Sequence, residues 1–139
     1  MADRNVRIVR KAGKKPFVMK FPKVASTAFD KNSLVELGST INPSDDNDTI
    51  VFGIILEEVA STDSDYAATS EKDVEVIQPG DLVEIATTDT LTVGTSYGIS
   101  NAYTVDQSDT TNDVFTCLKV ISSTRAIGIM KNLVGEAVQ

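Results

Sequence analysis

The side chains best suited to chemistry in this sequence are carboxylates, and they cluster. Asp45-Asp46-Asn47-Asp48, Asp63-Ser64-Asp65 and Asp106-Gln107-Ser108-Asp109 each crowd oxygen ligands of the kind hard cations take. A calcium loop of the EF-hand order also needs a glycine at its sixth position and a glutamate at its twelfth, and no cluster supplies both. Solvated loops account for them better. Glu57-Glu58 and Glu84 have the residue type for paired-carboxylate glycoside hydrolysis. With no Trp, three Tyr and five Phe, however, the chain is poorly equipped to line a sugar groove. Glu36 and Glu84 fall in alternating, strand-like runs, where acids are expected to face solvent.

The single cysteine, Cys117, excludes an intramolecular disulfide and has no metal-ligand spacing around it. It sits in the strand-like run Val114 to Ile121 and reads as a small buried hydrophobe. There is no histidine, which removes His-based triads, general bases and metal ligands together. No phosphate loop or dinucleotide fingerprint is present. The expectation is a binding or structural protein, not an enzyme, with no cofactor and no metal.

Charge is the most informative feature. Residues 1–23 hold Arg4, Arg7, Arg10, Lys11, Lys14, Lys15, Lys20 and Lys23 against one acid, Asp3, a net of +7. The whole chain carries −7, so residues 24–139 carry −14. The expected organisation is a basic N-terminal arm, 1–23, on an acidic body, 24–139. Such an arm has three readings: a solvated tail, a phosphate-tracking nucleic-acid contact, or a docking segment for another protein. Phe17, Met19 and Phe21 have no use in a solubilising tail. An acidic body repels nucleic acid, and no aromatic stacking platform stands out. Docking to protein is therefore favoured, with Arg4, Val6, Arg7, Ile8, Arg10, Lys11, Lys14, Lys15, Phe17, Met19, Lys20 and Phe21 as the contact residues. Val6, Ile8, Phe17 and Met19 would act as alternating anchors if the arm adds a strand to a sheet edge.

The elements around these residues are strands. No strong amphipathic helix pattern appears. Short β-rich runs alternate with Ser, Thr, Asp, Asn and Gly. The runs are 6–10, 17–21, 34–37, 50–56, 74–77, 82–86, 91–93, 96–99, 114–121 and 126–130. The stretch 41–48 reads as a polar loop, and 61–73 as polar with one helical turn around Tyr66-Ala67-Ala68. Ile50 to Leu56 is the most apolar run and should be central, covered on both faces. Gly53 in its middle suggests a bulge or a close backbone approach. Gln78-Pro79-Gly80-Asp81 predicts a type II turn, because proline presets φ and glycine supplies the positive φ. Many short strands with regular turn signals give a mainly β fold, a small barrel or sandwich with an extended N-terminal arm.

Two internal echoes run through these strands. Ser33-Leu34-Val35-Glu36-Leu37 resembles Asp81-Leu82-Val83-Glu84-Ile85, and Ile50-Val51-Phe52-Gly53-Ile54-Ile55 resembles Arg125-Ala126-Ile127-Gly128-Ile129-Met130. They fit two related β units in one barrel or chance likeness between short β runs. Their unequal spacings establish no repeat.

Taken together, residues 32–134 resemble the head decoration, or cement, proteins of tailed bacteriophages. The carrying features are Asn32 to Gly38, Val51 to Ala60, Pro79-Gly80-Asp81-Leu82-Val83-Glu84-Ile85, and Ala126 to Met130. The histidine-free, aromatic-poor, Thr/Ser-rich composition also fits. The resemblance implies a small β-barrel on the outer surface of an icosahedral capsid, clustered as trimers and bridging copies of the major capsid protein. It also implies that residues 1–23 reach along the capsid. This chain departs in its strongly basic arm and its long acidic loops at 43–48 and 61–73. No apolar stretch is long enough to span a bilayer and no secretory signal is evident, so synthesis in the host cytoplasm, with no membrane partner, is expected. The alternatives are another virion part, such as a head–tail connector or tail-tube subunit, and a nucleic-acid-binding β-barrel.

Overall fold

The computed structural model describes residues 6–10, 16–46 and 50–131, with the side chain of Arg10 outside the description. The described residues form strands joined by turns, with no helix. In chain order the strands are β1 (Arg7–Arg10), β2 (Val18–Pro22), β3 (Ser33–Leu37), β4 (Ile41–Pro43), β5 (Gly53–Ile55) and β6 (Glu71–Val76). They continue as β7 (Leu82–Thr87), β8 (Ser96–Tyr97), β9 (Ile99–Asn101), β10 (Thr104–Val105), β11 (Phe115–Ser122) and β12 (Arg125–Met130).

Two sheets result. A seven-stranded sheet runs β8-β11-β12-β7-β10-β9, with β1 also on β7. Its end strands β8 and β9 are successive pieces of one segment on either side of Gly98, so the sheet curls into a nearly closed barrel. A five-stranded sheet runs β2-β6-β5-β3-β4. The mainly β expectation holds.

At β3 and β5 both faces of the five-stranded sheet are covered. Leu34 and Ile54 point into the larger core with Val83, Ile85, Phe115 and Cys117. Their neighbours Val35 and Ile55 point into a second core with Phe29, Phe52, Val59 and Val74. Period-2 alternation explains why consecutive apolar residues are needed here: each face of β3 and β5 has its own core to fill. The run around Ile54 is central, as its composition predicts. The strand itself is only three residues long; Val51 and Phe52 before it are buried, Ile50 is exposed and Leu56 is half-buried.

Gly53 makes the expected close approach. A Cβ there would lie 2.5 Å from the Glu75 carbonyl oxygen and 2.7 Å from Val74 Cγ1. The turn at 78–81 also forms, with Gly80 at φ 88° and the Asp81 N–H donating to the Gln78 carbonyl at 3.0 Å.

Other expectations are corrected. Residues 91–93 form no strand. Gly94, at φ 86°, breaks the extended run, and its N–H donates to the Cys117 carbonyl, laying the segment along β11. Ile41–Pro43 is a strand, not a loop. Ile41 is buried and Pro43 is tolerated at the sheet margin, where its missing N–H leaves no ladder bond unmade. Residues 61–68 are successive turns, with Tyr66 and Ala68 N–H groups bonded three residues back to Asp63 and Asp65.

The two sequence echoes prove to be structural. Val35 pairs with Gly53 and Leu34 with Ile54; in the barrel, Val83 pairs with Gly128 and Leu82 with Ile129. The match extends outward. Gly53, Ile54 and Ile55 pair with Val76, Glu75 and Val74, as Gly128, Ile129 and Met130 pair with Cys117, Thr116 and Phe115. Next, Val18 and Met19 lie on Glu75 and Val74 as Ser96 and Tyr97 lie on Thr116 and Phe115. On the far side Glu36 faces Asn42 as Glu84 faces Arg7. Thus β2-β6-β5-β3-β4 and β8-β11-β12-β7-β1 share order, direction and register, although the chain connects them differently.

Candidate functional site

The N-terminal segment is built into both sheets. β1 pairs with β7 and β2 with β6, so residues 6–10 and 16–23 are structurally part of the body. Val6 is fully buried in the larger core, and its N–H donates to the Asn32 carbonyl at 2.8 Å. Ile8 packs against the same core. Phe21 packs edge-on against Phe52, with ring centroids 4.9 Å apart. Of the four proposed anchors, Val6 is therefore buried in this chain's own core and Ile8 is partly buried against it, while Phe17 and Met19 stay on the surface. Arg4, Lys11, Lys14 and Lys15 lie outside the described residues.

Charge complementarity explains why a basic segment folds onto an acidic body. Arg7 Nη2 meets Glu84 Oε1 at 2.8 Å, and Arg125 Nε meets Glu84 Oε2 at 2.8 Å from the other side. These hydrogen bonds, Arg125's foremost, outweigh burial and hold the Glu84 carboxyl below its ordinary range. Lys20 Nζ meets Asp73 Oδ1 at 3.0 Å, and that bond, with the nearby charges of Asp73, Glu57 and Glu71, raises the Lys20 pKa.

Lys23 is fully buried. Its Nζ donates to the carbonyls of Tyr66 at 3.0 Å and Ala68 at 2.6 Å, tying the 61–70 turns to the sheet. Its backbone bridges to Ile41, so that β2 and β4 curl toward each other.

Glu84 corrects an expectation. Alternation does place it on the face opposite Val83 and Ile85, yet it is only 9% exposed, because Arg7 and Arg125 cover it from the flanking strands. Neither this clamp nor Lys23 is legible in sequence: a charged residue inside a strand reads as solvent-facing until the neighbouring strands are known.

The acidic clusters lock turns. Asp109 Oδ1 accepts from the Thr111 and Asn112 N–H groups and from the Thr111 hydroxyl, bonds that lower its pKa. Asp106 Oδ1 accepts from the Ser108 N–H and hydroxyl, and Asp63 Oδ2 from the Ala60 N–H. Asp65 pairs with Lys72 at 3.1 Å, which lowers its pKa. Among the described residues no group of three or more His, Cys, Asp or Glu side chains is placed to hold a metal ion. Cys117 is buried, and burial pushes its thiol pKa up.

Among the exposed large apolar residues, which also include Val9, Ile50, Val93, Leu118 and Ile121, three are consecutive at a strand edge. Phe17, Val18 and Met19 are 47%, 44% and 44% exposed, consecutive where the chain enters β2, the strand at the margin of its sheet. The Val76 N–H donates to the Phe17 carbonyl, and the Lys23 N–H to the Ser70 carbonyl. Odd-numbered residues of β2 thus direct their backbone groups at β6, and Val18 and Lys20 direct theirs away. On that outer side the Val24 N–H finds the Ile41 carbonyl, whereas no described strand pairs with Val18 or Lys20. No protein-family model, curated protein or solved structure matches this chain.

Proposed function

We propose that this protein is a structural component of a phage virion, one that decorates and stabilises the outer surface of an icosahedral capsid and is not an enzyme. The observation that carries the reading is the exposed apolar edge of β2, which in the sequence directly follows a strongly basic stretch. A protein whose core is otherwise covered gains nothing from three consecutive half-exposed apolar residues unless another protein meets them. The β-barrel body and the resemblance at residues 32–134 supply the capsid setting. A lattice protein needs contacts to the shell and contacts to its own kind. The cations of residues 10–15 suit the first and the apolar edge suits the second, and many weak contacts repeated over a lattice hold firmly. The nucleic-acid reading loses ground, because Arg7 and Lys20 already face Glu84 and Asp73.

Deleting residues 1–23 cannot test the reading, since it would also remove Val6, β1 and β2 from the fold. Neutralising Lys11, Lys14 and Lys15 to Gln leaves the described strands intact. In co-sedimentation with undecorated heads, the triple variant should bind more weakly than the parent and lose less on raising salt. Equal binding of the two proteins removes the basic stretch as the docking element. Binding of neither to heads, with parent binding to DNA, replaces the capsid reading.

A further inference from the structure

We propose that the open edge of β2 joins two copies of this chain across a two-fold axis at Met19, making one continuous sheet from two five-stranded ones. The unpaired edge is short and chemically defined. Only Val18 and Lys20 offer both an outward N–H and an outward carbonyl, because the flanking outward positions are Pro16 and Pro22, which have no N–H. Antiparallel pairing of this edge with itself has few registers. Centring on Val18 sets Lys20 against Pro16, which accepts a bond but returns none, and Met19 against Phe17. Centring on Lys20 sets lysine against lysine and Val18 against Pro22. Centring on Met19 pairs Val18 with Lys20 of the second copy and Lys20 with its Val18, so that both residues give and receive a bond in full and the prolines end the ladder on both sides.

Side chains agree with that register. Met19 and Val74 are cross-strand partners, as are Phe17 and Val76, on the face of the second core. Across the axis the rows become Val74–Met19–Met19–Val74, and Phe17 comes beside Phe21 of the second copy, itself packed on Phe52. The second cores of both copies become contiguous, and the exposed apolar run is covered. On the opposite face Lys20 comes beside Val18 of the second copy, whose own cross-strand neighbour is Glu75.

The molecule's own repeat shows the covered state of this position. Tyr97 occupies in the barrel the register place of Met19, and it is 3% exposed, its hydroxyl accepting from the Thr92 N–H of the segment laid beside it. Among the described residues none covers Met19 in this way, and it is 44% exposed. Because a two-fold contact uses the same edge on both copies, association stops at two and does not propagate.

The pairing needs no capsid and is tested on the full chain alone. Sedimentation equilibrium should give the mass of a dimer. Val18→Pro removes only an outward N–H, and Met19→Glu sets like charges against each other at the axis. Each should give monomers with the parent's circular dichroism. Met19→Cys should form a disulfide-linked dimer under mild oxidation, since residues facing each other in a non-hydrogen-bonded antiparallel pair have Cα atoms about 4.5 Å apart. Val18→Cys should not, because it does not face itself. Cys117 is buried and gives no background. A monomer at every soluble concentration, a dimer indifferent to both Val18→Pro and Met19→Glu, or a three-fold assembly without the Met19→Cys crosslink would each overturn the two-fold pairing. The three-fold outcome would leave the capsid reading standing.

Discussion

The five-stranded sheet and its counterpart in the barrel share a backbone frame and differ at the rims. In both, a glycine sits mid-sheet between a valine and the third strand: Val35–Gly53–Val76 and Val83–Gly128–Cys117. In both, a Cβ on that glycine would strike the carbonyl of the residue before its partner, Glu75 or Thr116. The frame is therefore set by close packing of backbones. The rims are set by other means. β12 runs on to Arg125, which with Arg7 clamps Glu84, whereas β5 stops at Gly53, and Ile50, at the place of Arg125, is exposed. The barrel covers its outer strand β8; the five-stranded sheet leaves β2 open. One frame can thus serve as a sealed core in one place and as a joining surface in another.

The largest effect expected is at the shared glycines. Gly128→Ala drives a methyl into the Thr116 carbonyl and the Phe115 ring and should cost more than about 4 kcal/mol, leaving little folded protein. Gly53→Ala meets the Glu75 carbonyl and the movable Val74 side chain and should be destabilising but less so. Urea denaturation of both variants measures the difference. If Gly53→Ala matches wild-type stability, the two frames share topology and not packing.

Next comes the outer strand. Tyr97→Ala empties a buried aromatic site and should cost about 3–5 kcal/mol. Met19→Ala at the matching position should cost under about 1 kcal/mol, measured at low protein concentration so that self-association does not contribute. Equal costs would mean that β2 is as well covered as β8.

The glutamates give a smaller contrast. Glu84→Gln breaks the charge-assisted pair with Arg125 and should cost about 2–3 kcal/mol, while Glu36→Gln should cost under about 1 kcal/mol. Because the folded pKa of Glu84 lies below the ordinary 4.5, its contribution is complete above that value and is lost as pH falls through the folded pKa. Thermal melts from neutral to acid pH should show a shallower acid decline in Glu84→Gln than in the parent. An unchanged acid limb would show that the clamp contributes nothing.

Strand content, the central position of Ile54, the close approach at Gly53 and the turn at Gly80 are all legible in the sequence, because each follows from local pattern or backbone sterics. The echo of Leu34-Val35-Glu36 in Leu82-Val83-Glu84 is legible too. Its extension to β6 and β11 is not, since Asp73-Val74-Glu75-Val76 and Val114-Phe115-Thr116-Cys117 share register without sharing side chains. The basic segment reads as a detached arm because linear charge says nothing about partners far along the chain. Arg7 and Glu84 lie 77 residues apart, and Lys20 and Asp73 lie 53 apart. The open edge of β2 is visible only once β6 is known to take the odd-numbered backbone groups.

The smallest expected effect tests whether corresponding positions of the two units can exchange residues. Cys117 stands where the five-stranded sheet has Val76, each opposite its glycine. Cys117 is wholly buried among apolar side chains, and its backbone N–H and carbonyl are taken by Thr95 and Gly94. The thiol thus behaves as a small hydrophobe, and its raised pKa keeps it protonated and unreactive. Cys117→Val adds a methyl's volume to a site that already holds Phe115 and Tyr97 nearby, so repacking and added apolar burial should nearly cancel, within about 1 kcal/mol. Cys117→Ser keeps the size but buries a hydroxyl, at about 1–3 kcal/mol. Denaturant midpoints of the two variants give the order, and a thiol reagent should label native protein only as fast as the barrel opens. If Cys117→Ser is the more stable, or labelling is complete in the native state, then the thiol lies against water, and the barrel side of the comparison is less tightly sealed than its register suggests.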